Sequence, residues 1–350
     1  MKKNKVKVLH LLSSNSLSGA ENVVCTIIET FDDKFEMIYC SPSGRIKSVL
    51  ENKKIPFYGL KKLSYFQVKK IIKEYHPDII HAHDYKASCL AALFSNKAKI
   101  ISHIHVNNKI MQSFNIKSLI YRLLCNNFNR IIWVSDSALN EYYLKKNVIS
   151  KSSVIYNVVN QEQIIKKSNE YNTNCLYDLI FLGRLTYQKN PERLIEIIKG
   201  IKKHISNIKV AIVGDGLLLD NVHKLVIDNK LENNIDLLGF KSNPYPLLKC
   251  SKILIMTSRY EGTPMVALEA QALGKPIIAT EVDGLKKIIK NNYNGFLSNE
   301  NDLLIDMSLK LIENNNLYND YSINSINNFK TVCDLKNYIN NIRKIYEGIL

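Results

Sequence analysis

The sequence predicts an α/β protein made of two doubly wound parallel sheets in tandem. The chain has 350 residues, more than one ordinary hydrophobic core requires, which suits two domains of roughly 150 residues each. Continuous β-branched, apolar runs alternate with segments of helical periodicity, a pattern typical of parallel strands covered by helices on both faces. The pattern gives way to a polar stretch at 157–175 and then begins again.

The strands and the closing helix follow from this alternation. Strands are expected at 6–12, 35–40, 78–83, 98–105, 130–135 and 152–156, and again at 177–183, 209–214, 234–239, 252–258 and 275–280. A helix is expected at 19–31, and the spacing of apolar residues predicts a last helix at 334–350. We therefore expect an N-terminal domain at 1–165, a C-terminal domain at 166–333, and a closing helix that packs back on the N-terminal domain.

Composition limits the class and the compartment. Apolar residues make up 46% of the chain and charged residues 23%, which excludes a disordered protein. No apolar run approaches the ~20 residues of a transmembrane helix. The opening MKKNKVKVLHLL has too short an apolar part for a signal peptide, so it is interpreted as the first strand of a cytoplasmic protein. Seven cysteines without a Cys-x-x-Cys pair indicate a reducing compartment rather than disulfides or structural zinc.

The stretch SRYEGTPMVALEAQALGKP predicts a buried helix with two carboxylates. Thr263 is expected at the N-cap, Pro264 at the first helical position and Gly274 just past the end. The helix is apolar nearly all round, so an ionised Glu269 inside it needs hydrogen-bond donors such as ribose hydroxyls. Glu261 precedes the helix, where free N–H groups favour a ligand rich in hydroxyls and phosphates. The alternative is an ordinary loop carboxylate and a salt-bridged one.

The longer pattern EGTPMVALEAQALGKPIIAT resembles the signature of retaining glycosyltransferase family 4, whose GT-B fold has two Rossmann-like domains facing a central cleft. The resemblance implies that Glu261 contacts hydroxyls of the transferred sugar and that Glu269 holds the nucleotide ribose. It also implies that the backbone after Glu261 lies near the sugar and its phosphates. The donor-binding residues expected in this stretch are Glu261, Gly262, Thr263, Pro264, Met265, Val266 and Glu269.

A second motif, FLGRL followed by KNP, ends the first strand of the C-terminal domain. Arg184 and Lys189 lie five residues apart there, so both can reach one diphosphate. The resemblance implies that these cations neutralise the leaving group, with Gly183 beside them. The sequence has no Asp-x-Asp motif, so we expect no metal and no cofactor, the nucleotide sugar being a substrate.

Glycines at three further strand ends match the family. Gly19, in the loop after the first strand, is expected to let the backbone approach the donor phosphates because it lacks a Cβ. Gly214 and the pair Gly239–Phe240 match the loops around the nucleotide base. Taken alone, the Gly-Asp-Gly at 214–216 lacks the spacing of a dinucleotide fingerprint.

Two His-x-His pairs end neighbouring strands, at His81 and His83 and at His103 and His105. Such pairs can suggest zinc, or they can line a cleft, because alternate residues of a strand share a face. The resemblance implies that His105, rather than His103, is the active-site histidine that hydrogen-bonds the donor sugar. His81 and His83 are then structural.

The basic charge is concentrated in the first half of the chain. Residues 1–165 hold 24 Lys and Arg against 12 Asp and Glu, whereas the rest hold 24 against 20. The stretches 61–73 and 109–124 combine lysines with aromatic or apolar residues. We expect them to dock on an anionic membrane, where a lipid-linked acceptor would lie. A solvated face and a core helix are the alternatives for these stretches, and a codon bias toward Lys, Asn and Ile is the alternative for the basic charge.

The resemblance therefore implies a retaining hexosyltransferase. It would move a hexose or N-acetylhexosamine from a nucleotide sugar to a glycan or polyprenyl-linked glycan in cell-surface polysaccharide synthesis, at the inner face of the cytoplasmic membrane. UDP is favoured by family frequency, and GDP stays open. A GT-B sugar-nucleotide 2-epimerase is the alternative enzyme. A nucleic-acid-binding protein would explain the basic half, but the aromatic-basic pattern is too sparse for a stacking platform.

Overall fold

The computed structural model describes residues 5–105, 109–173 and 176–350, with the backbone alone at 109 and 110. These residues form two compact units. The first comprises the described residues up to Val158 together with Leu335–Leu350, and the second is Val159–Asp334. Positions 174 and 175, at the end of the predicted polar stretch, lie outside the described residues.

The described part of the first unit contains a seven-stranded parallel sheet with the order β3-β2-β1-β4-β5-β6-β7. Its strands are β1 Val6–Leu11, β2 Phe35–Pro42, β3 Phe57–Leu60, β4 Ile79–Ala82, β5 Lys99–Ile104, β6 Arg130–Trp133 and β7 Ser152–Val154. The order turns outward on both sides of β1, which pairs with β2 and β4. This is the doubly wound arrangement that the sequence predicts.

The described part of the second unit contains a six-stranded parallel sheet with the order β10-β9-β8-β11-β12-β13. Its strands are β8 Tyr177–Leu182, β9 Val210–Val213, β10 Ile235–Gly239, β11 Ser251–Met256, β12 Ile277–Ala279 and β13 Gly295–Leu297. The order reverses between β8 and β11, and a doubly wound sheet binds its ligand at such a reversal.

Helices connect the strands and cover the sheets. Those of the first unit are α1 Gly19–Thr30, α2 Ile46–Asn52, α3 Tyr65–Tyr75, α4 Tyr85–Ala92, α5 Lys109–Gln112, α6 Ile116–Leu124, α7 Asp136–Asn140 and, at the end of the chain, α16 Leu335–Glu347. Short 3₁₀ turns lie at Cys125–Asn127, Lys145–Asn147 and Ile149–Lys151. Those of the second unit are α8 Gln161–Ser168, α9 Pro191–Lys202, α10 Leu219–Asp228, α11 Tyr245–Lys249, α12 Met265–Ala272, α13 Asp283–Lys286, α14 Asn301–Glu313 and α15 Asn315–Val332.

Each sheet is the centre of its own hydrophobic core. In the first unit, Leu9, Ile80 and Ile100 are fully buried on three neighbouring strands. In the second unit, Leu179 and Ile253 are fully buried under α9 and α14. Burying apolar surface on both faces of the sheet is the main force that holds such a unit together.

The unit boundary and two edge strands differ from the expectation. The boundary lies at Val158–Val159 rather than at 165, because Asn160 caps α8 and this helix buries Ile164 within the second unit. The edge strand β3 was not predicted, because Phe57 and Tyr58 are only partly buried and Gly59 is exposed. The edge strand β13, at the end of the second sheet, was not predicted either and is only three residues long.

The last helix, α16, packs within the first unit. Tyr346 is fully buried, with its ring 5.5 Å from that of Phe31 and 5.7 Å from that of Phe35. Arg343 donates to Asp32 at 2.7 Å. Among the residues that the structure describes, no helix combines the length and the apolar character needed to cross a membrane.

Candidate active site

The loops that follow β8, β9 and β10 in the second unit are joined by backbone hydrogen bonds. The Gly183 N–H donates to the Val213 carbonyl at 3.0 Å, and the Gly214 N–H donates to the Gly239 carbonyl at 2.9 Å. Gly214 has a φ of +151°, and a Cβ on it would lie 1.8 Å from the Gly183 carbonyl oxygen. Glycine is therefore required at position 214, where these loops meet. The predicted residues Gly183, Gly214 and Gly239 lie together at the carboxyl ends of the strands.

The loop after β8 also contacts the loop after β11, through Lys189 and Glu261. The Lys189 ammonium donates to the Glu261 Oε1, and the Ser258 hydroxyl donates to the same oxygen at 2.6 Å. Glu261 is buried, and the Lys189 side chain is 16% exposed. The Thr257 hydroxyl lies 3.0 Å from the carbonyl oxygens of Lys189 and Asn190, which fixes the two loops to each other.

This ion pair leaves Lys189 able to bind a second anion. An ammonium group has three donors, of which the contact with Glu261 uses one. The stem of Lys189 runs past Gly183, since its Cε lies 3.6 Å from where a Gly183 Cβ would be. The structure therefore places Lys189 beside the residue that precedes Arg184, the second predicted cation.

Arg184 differs from Lys189 in its surroundings. It is exposed, and its guanidinium makes no hydrogen bond or ion pair with any residue that the structure describes. The planar guanidinium presents five donors suited to phosphate oxygens. The carboxyl end of the sheet thus carries one cation that is paired, Lys189, and one that is unpaired within the described chain, Arg184.

Glu269 lies in a different environment, on α12. The Tyr245 hydroxyl donates to its Oε1 at 3.1 Å. Burial raises the pKa of the Glu269 carboxyl to about 7, and the Tyr245 hydrogen bond and the positive charge of Lys167 only partly oppose this. Glu269 is therefore held partly protonated near neutral pH in the absence of a ligand.

The start of α12 differs slightly from the prediction. Pro264 lies at the N-cap, where Thr263 was expected, because the backbone of Pro264 is still extended, with a ψ of 114°. Gly274 adopts the predicted left-handed conformation beyond the helix, with a φ of +67°. Thr263 and Met265 are buried and Val266 is half-buried, whereas Phe240, after β10, is 51% exposed.

The helix α13 packs closely against the loop between Glu261 and α12. A Cβ on Gly284 would lie 1.8 Å from the Gly262 carbonyl oxygen and 2.8 Å from that of Glu261. Any side chain at Gly284 would push this loop away. Gly284 was not predicted as a site residue, because it contacts the loop only through the fold.

Several other contact residues were missed. Arg259 donates to the Asn190 Oδ1 at 2.8 Å and lies 4.4 Å above the Tyr187 ring. Asn190 adopts a left-handed backbone at the start of α9, with a φ of +53°. The sequence offered one signal for Asn190, since it precedes Pro191 and proline is common at the first position of a helix. Ser258 was also missed, although its partner Glu261 is only three residues further along the chain. Tyr245 carries no local signal, because its partner Glu269 is 24 residues away.

In the first unit, Gly19 begins α1 and His105 follows β5. Ser18 is at the N-cap of α1, and its hydroxyl donates to the buried Glu21. Burial raises the pKa of the Glu21 carboxyl. Gly19 is therefore the first residue of a helix whose first turn already contains one buried acid.

His105 belongs to a cluster of five imidazoles on β1, β4 and β5 or directly after them, formed by His10, His81, His83, His103 and His105. One chain of hydrogen bonds joins the His10 Nδ1 to the His83 Nε2 at 2.9 Å, and the His83 Nδ1 to the His105 Nε2 at 3.1 Å. A second chain joins the Tyr346 hydroxyl to the His81 Nδ1 at 2.8 Å, and the His81 Nε2 to the His103 Nδ1 at 3.2 Å. Sequence reasoning found four of the five and missed His10.

The cluster also meets the distance condition for a metal ion. Two triplets, His10–His81–His83 and His83–His103–His105, place one nitrogen of each member within 4.8 Å of the others. His83 belongs to both triplets, and both of its nitrogens are already in hydrogen bonds. A metal bound to either triplet would break at least one of these bonds. The geometry therefore fits a hydrogen-bonded network better than a preformed metal site.

Comparison with known proteins identifies the family. The model of "Glycosyltransferase Family 4" matches residues 17–163, and that of "Glycosyl transferases group 1" matches residues 160–328. The chain is 34% identical over 291 residues to an uncharacterized glycosyltransferase of Methanocaldococcus jannaschii, which covers 80% of this chain and 78% of that one.

Two further relatives have printed activities or ligands. The chain is 27% identical over 334 residues, 86% of each chain, to the UDP-Gal:alpha-D-GlcNAc-diphosphoundecaprenol alpha-1,3-galactosyltransferase of Escherichia coli. The crystal structure of HepE from Anabaena in complex with UDP and glucose superposes with a TM-score of 0.84 at 21% identity, over 98% of this chain and 100% of that one. The chain is thus a glycosyltransferase of family 4 with the GT-B fold.

Proposed function

We propose that the chain transfers a hexose or N-acetylhexosamine from a UDP-sugar to a lipid-linked glycan, with retention of the anomeric configuration. The observation that carries the proposal is the contact of Lys189 with Glu261, next to the exposed Arg184, at the carboxyl edge of the second sheet. That edge is where open parallel sheets bind their ligands. Two cations beside a buried acid suit a ligand with a diphosphate at one end and hydroxyls at the other.

The relatives support UDP and a lipid-linked acceptor. The Escherichia coli relative is a galactosyltransferase that takes UDP-Gal and acts on a diphosphoundecaprenol-linked sugar. The HepE structure holds UDP and glucose. We infer the same nucleotide here, with Arg184 and Lys189 binding the diphosphate in place of a metal ion.

In the proposed reaction, the bond between the sugar C1 and the diphosphate oxygen breaks while the acceptor oxygen bonds to C1 from the same face. The acceptor hydroxyl passes its proton to the departing diphosphate. Arg184 and Lys189 stabilise the negative charge that develops on the leaving group. We do not assign Glu261 as a nucleophile; its Oε1 accepts hydrogen bonds from Lys189 and Ser258, which hold the carboxylate in place. It binds and orients the sugar.

Glu269 is assigned to the ribose. Two ribose hydroxyls can donate hydrogen bonds to a carboxylate, which favours the ionised form. In the free protein the pKa of Glu269 is raised to about 7. We therefore expect UDP binding near pH 6 to release a proton from Glu269.

The acceptor side of the proposal rests on α6. Its apolar residues Ile116, Leu119, Ile120 and Leu123 follow helical spacing and are 76%, 40%, 41% and 64% exposed. The opposite face buries Ser118 and Tyr121, so the apolar stripe is not part of the core. Lys117 and Arg122 flank this stripe. An exposed apolar helix face with cations beside it suits the surface of an anionic membrane.

Vesicle binding tests the membrane surface. The chain should co-sediment with vesicles containing phosphatidylglycerol, less so as salt rises, and weakly with neutral phosphatidylcholine vesicles. The double variant Ile116→Ser with Leu123→Ser should lose this binding. Leu217→Ser, which changes a 97% exposed residue of the second unit, is the matched control. Equal binding to neutral and anionic vesicles would contradict the proposal.

A transfer assay tests the reaction itself. The protein is incubated with UDP-hexoses and UDP-N-acetylhexosamines, each with a polyprenyl-diphosphate-linked saccharide, and products are identified by mass spectrometry and NMR. The expected product is the lengthened saccharide with the donor's anomeric configuration. An inverted product would refute retention. Release of UDP with a 2-epimer and without acceptor would instead identify an epimerase.

A further inference from the structure

The side chain of Arg259 contacts the loop that contains Lys189. Its Nε donates to the Tyr187 carbonyl oxygen at 3.1 Å, and its Nη2 donates to the Asn190 Oδ1 at 2.8 Å. Its guanidinium carbon lies 4.4 Å from the centre of the Tyr187 ring. The Arg259 backbone N–H donates to the Gln188 carbonyl oxygen at 2.8 Å. Arg259 therefore contacts the residues on both sides of Lys189.

The loop has an unusual backbone directly after Lys189. Asn190 is left-handed, with a φ of +53° and a ψ of +57°. Residues other than glycine seldom adopt this conformation, and it persists only where the surroundings hold it. Asn190 is buried, and two such restraints are the Arg259 bond to its side chain and the Thr257 bond to its carbonyl oxygen. A change of backbone at Asn190 would redirect the chain next to Lys189.

The same segment after β11 contains both Arg259 and Glu261. Arg259 lies two residues before Glu261, whose carboxylate accepts a hydrogen bond from the Lys189 ammonium. We propose that Arg259 is a positioning residue: by holding Tyr187 and Asn190, it keeps the Lys189 ammonium beside Glu261. The consequence for the reaction rests on the proposed function, in which Lys189 binds the diphosphate of the donor.

Direct binding of the donor by Arg259 is the alternative, because its side chain is exposed. A guanidinium has five N–H donors, and two of those of Arg259 are already directed at the loop. Arg184 differs, since its guanidinium has no such contact within the described chain. These contacts favour positioning. The two roles are separated by whether Lys189 itself responds when Arg259 is changed.

The test is the reactivity of the Lys189 amine in the full chain without nucleotide. The protein is acetylated with an N-hydroxysuccinimide ester for increasing times, and mass spectrometry follows Lys189 relative to the exposed Lys224. An ion-paired amine reacts when the pair opens, so Arg259→Gln should raise the Lys189 rate about tenfold, the equivalent of one hydrogen bond from a charged group. An unchanged rate overturns the proposal.

Arg343→Gln is the matched control. Arg343 also combines a ring contact with a hydrogen bond, at 5.4 Å from the centre of the Phe31 ring and 2.7 Å from the Asp32 Oδ2, but it lies on α16 in the first unit. This variant should leave the Lys189 rate unchanged, and a rise equal to that in Arg259→Gln would contradict a specific role of Arg259.

A second variant, Arg259→Lys, separates geometry from charge. It keeps the positive charge but loses the planar fork that reaches two acceptors, so it should raise the Lys189 rate nearly as much as Arg259→Gln. A wild-type rate in Arg259→Lys would mean that charge alone is responsible, and the positioning role would be wrong. This variant also decides the matter should Arg259→Gln fail to fold.

The variant Asn190→Gly tests how Arg259 acts. Glycine adopts the left-handed backbone without a Cβ clash, so the loop keeps its shape without the bond from Arg259. In the Asn190→Gly background, Arg259→Gln should therefore raise the Lys189 rate about threefold or less, through loss of the remaining bond to Tyr187. Equal effects in the two backgrounds would refute the role of Asn190.

Transfer and binding give a second reading. Arg259→Gln should lower kcat/KM about tenfold through Lys189, and the Asn190→Gly background should recover part of this loss. Weaker UDP binding with an unchanged Lys189 rate would make Arg259 a direct ligand and refute positioning. The labelling needs no substrate, so a raised Lys189 rate together with an inactive wild type would retain the positioning role and reject the proposed function.

Discussion

Both units place polar side chains at the carboxyl ends of parallel strands. These side chains are charged in the second unit and neutral in the first. In the second unit, buried Glu261 stays beside a cation, Lys189, with the exposed Arg184 close by. In the first unit, five imidazoles lie together, and burial lowers the pKa of every one of them. At these strand ends the second unit therefore carries a buried ion pair and an exposed cation, and the first carries neutral hydrogen-bonding groups.

The difference shows how desolvation selects a protonation state. A buried charge persists when an opposite charge and hydrogen bonds compensate it, as at Glu261. Where only like groups are present, the charged form is lost, as in the histidine cluster. Glu269 lies between these cases, since one hydrogen bond and the charge of Lys167 only partly offset its burial.

The largest expected effect comes from breaking the buried ion pair. Lys189→Met should destabilise the protein by about 3–5 kcal/mol, because it leaves Glu261 buried and uncompensated. The double variant Lys189→Met with Glu261→Gln should recover most of this loss and remain inactive. Urea unfolding measures both variants. If Lys189→Met is as stable as the wild type, the pair is not a buried, coupled contact.

Removing the unpaired cation should affect catalysis and not folding. Arg184→Ala should lower kcat by about 10²–10³-fold, the usual cost of losing one group that stabilises developing charge. The melting temperature should not change, since Arg184 is exposed and unpaired within the described chain. Lys224→Ala, an exposed cation on α10, is the control and should keep wild-type kcat. A normal kcat in Arg184→Ala would exclude Arg184 from the reaction.

The intermediate case, Glu269, predicts a dependence on pH. Its folded pKa is raised to about 7, above the ordinary value of 4.5, so the folded state binds more protons than the unfolded state between these values. Stability from this group is full below pH 4.5 and falls as pH rises through 7, by about 3 kcal/mol in all.

The variant Glu269→Gln isolates this contribution. It keeps the shape of the side chain but does not titrate, so the difference in unfolding free energy between wild type and variant should change with pH in that window. Urea unfolding at pH 5 and pH 8 gives the two values. A constant difference would show that Glu269 has an ordinary pKa.

The smallest effect is expected at Tyr245. Its hydroxyl donates to Glu269, so Tyr245→Phe should cost about 1 kcal/mol above pH 7, where the carboxylate is ionised, and less at pH 5. The same unfolding experiment measures it. Tyr171→Phe, which removes an exposed hydrogen bond to the Asn243 carbonyl, should have a smaller effect at either pH. A pH-independent loss in Tyr245→Phe would contradict the contact with an ionised Glu269.

Much of the fold could be predicted from the sequence, because parallel strands covered on both faces are continuous apolar runs. The central strands β1 and β8 lie close to the predicted ranges. The edge strands β7 and β10 were predicted, but β3 and β13 were not. The strand β3 has an exposed glycine and only one buried residue, and β13 is only three residues long, so neither forms a continuous apolar run. The unit boundary was displaced because α8 is polar in sequence yet packs in the second unit.

The sequence was enough to predict which residues belong to the candidate site, but not which of them contact each other. The motifs pointed to Lys189 and Glu261, but their contact joins residues 72 positions apart and depends on how two loops meet. The same holds for His10, which lies on β1, far along the chain from the other histidines of its cluster. Spacing identifies residues that share a strand or helix face. It does not identify partners that only the order of strands brings together.

We propose that the carboxyl end of the second sheet binds a sugar nucleotide through Arg184, Lys189 and Glu269. Calorimetric titration with UDP tests this most directly. The wild type should bind UDP with release of a proton near pH 6, whereas Arg184→Ala and Glu269→Gln should each bind at least about tenfold more weakly. Wild-type affinity in both variants would contradict the claim.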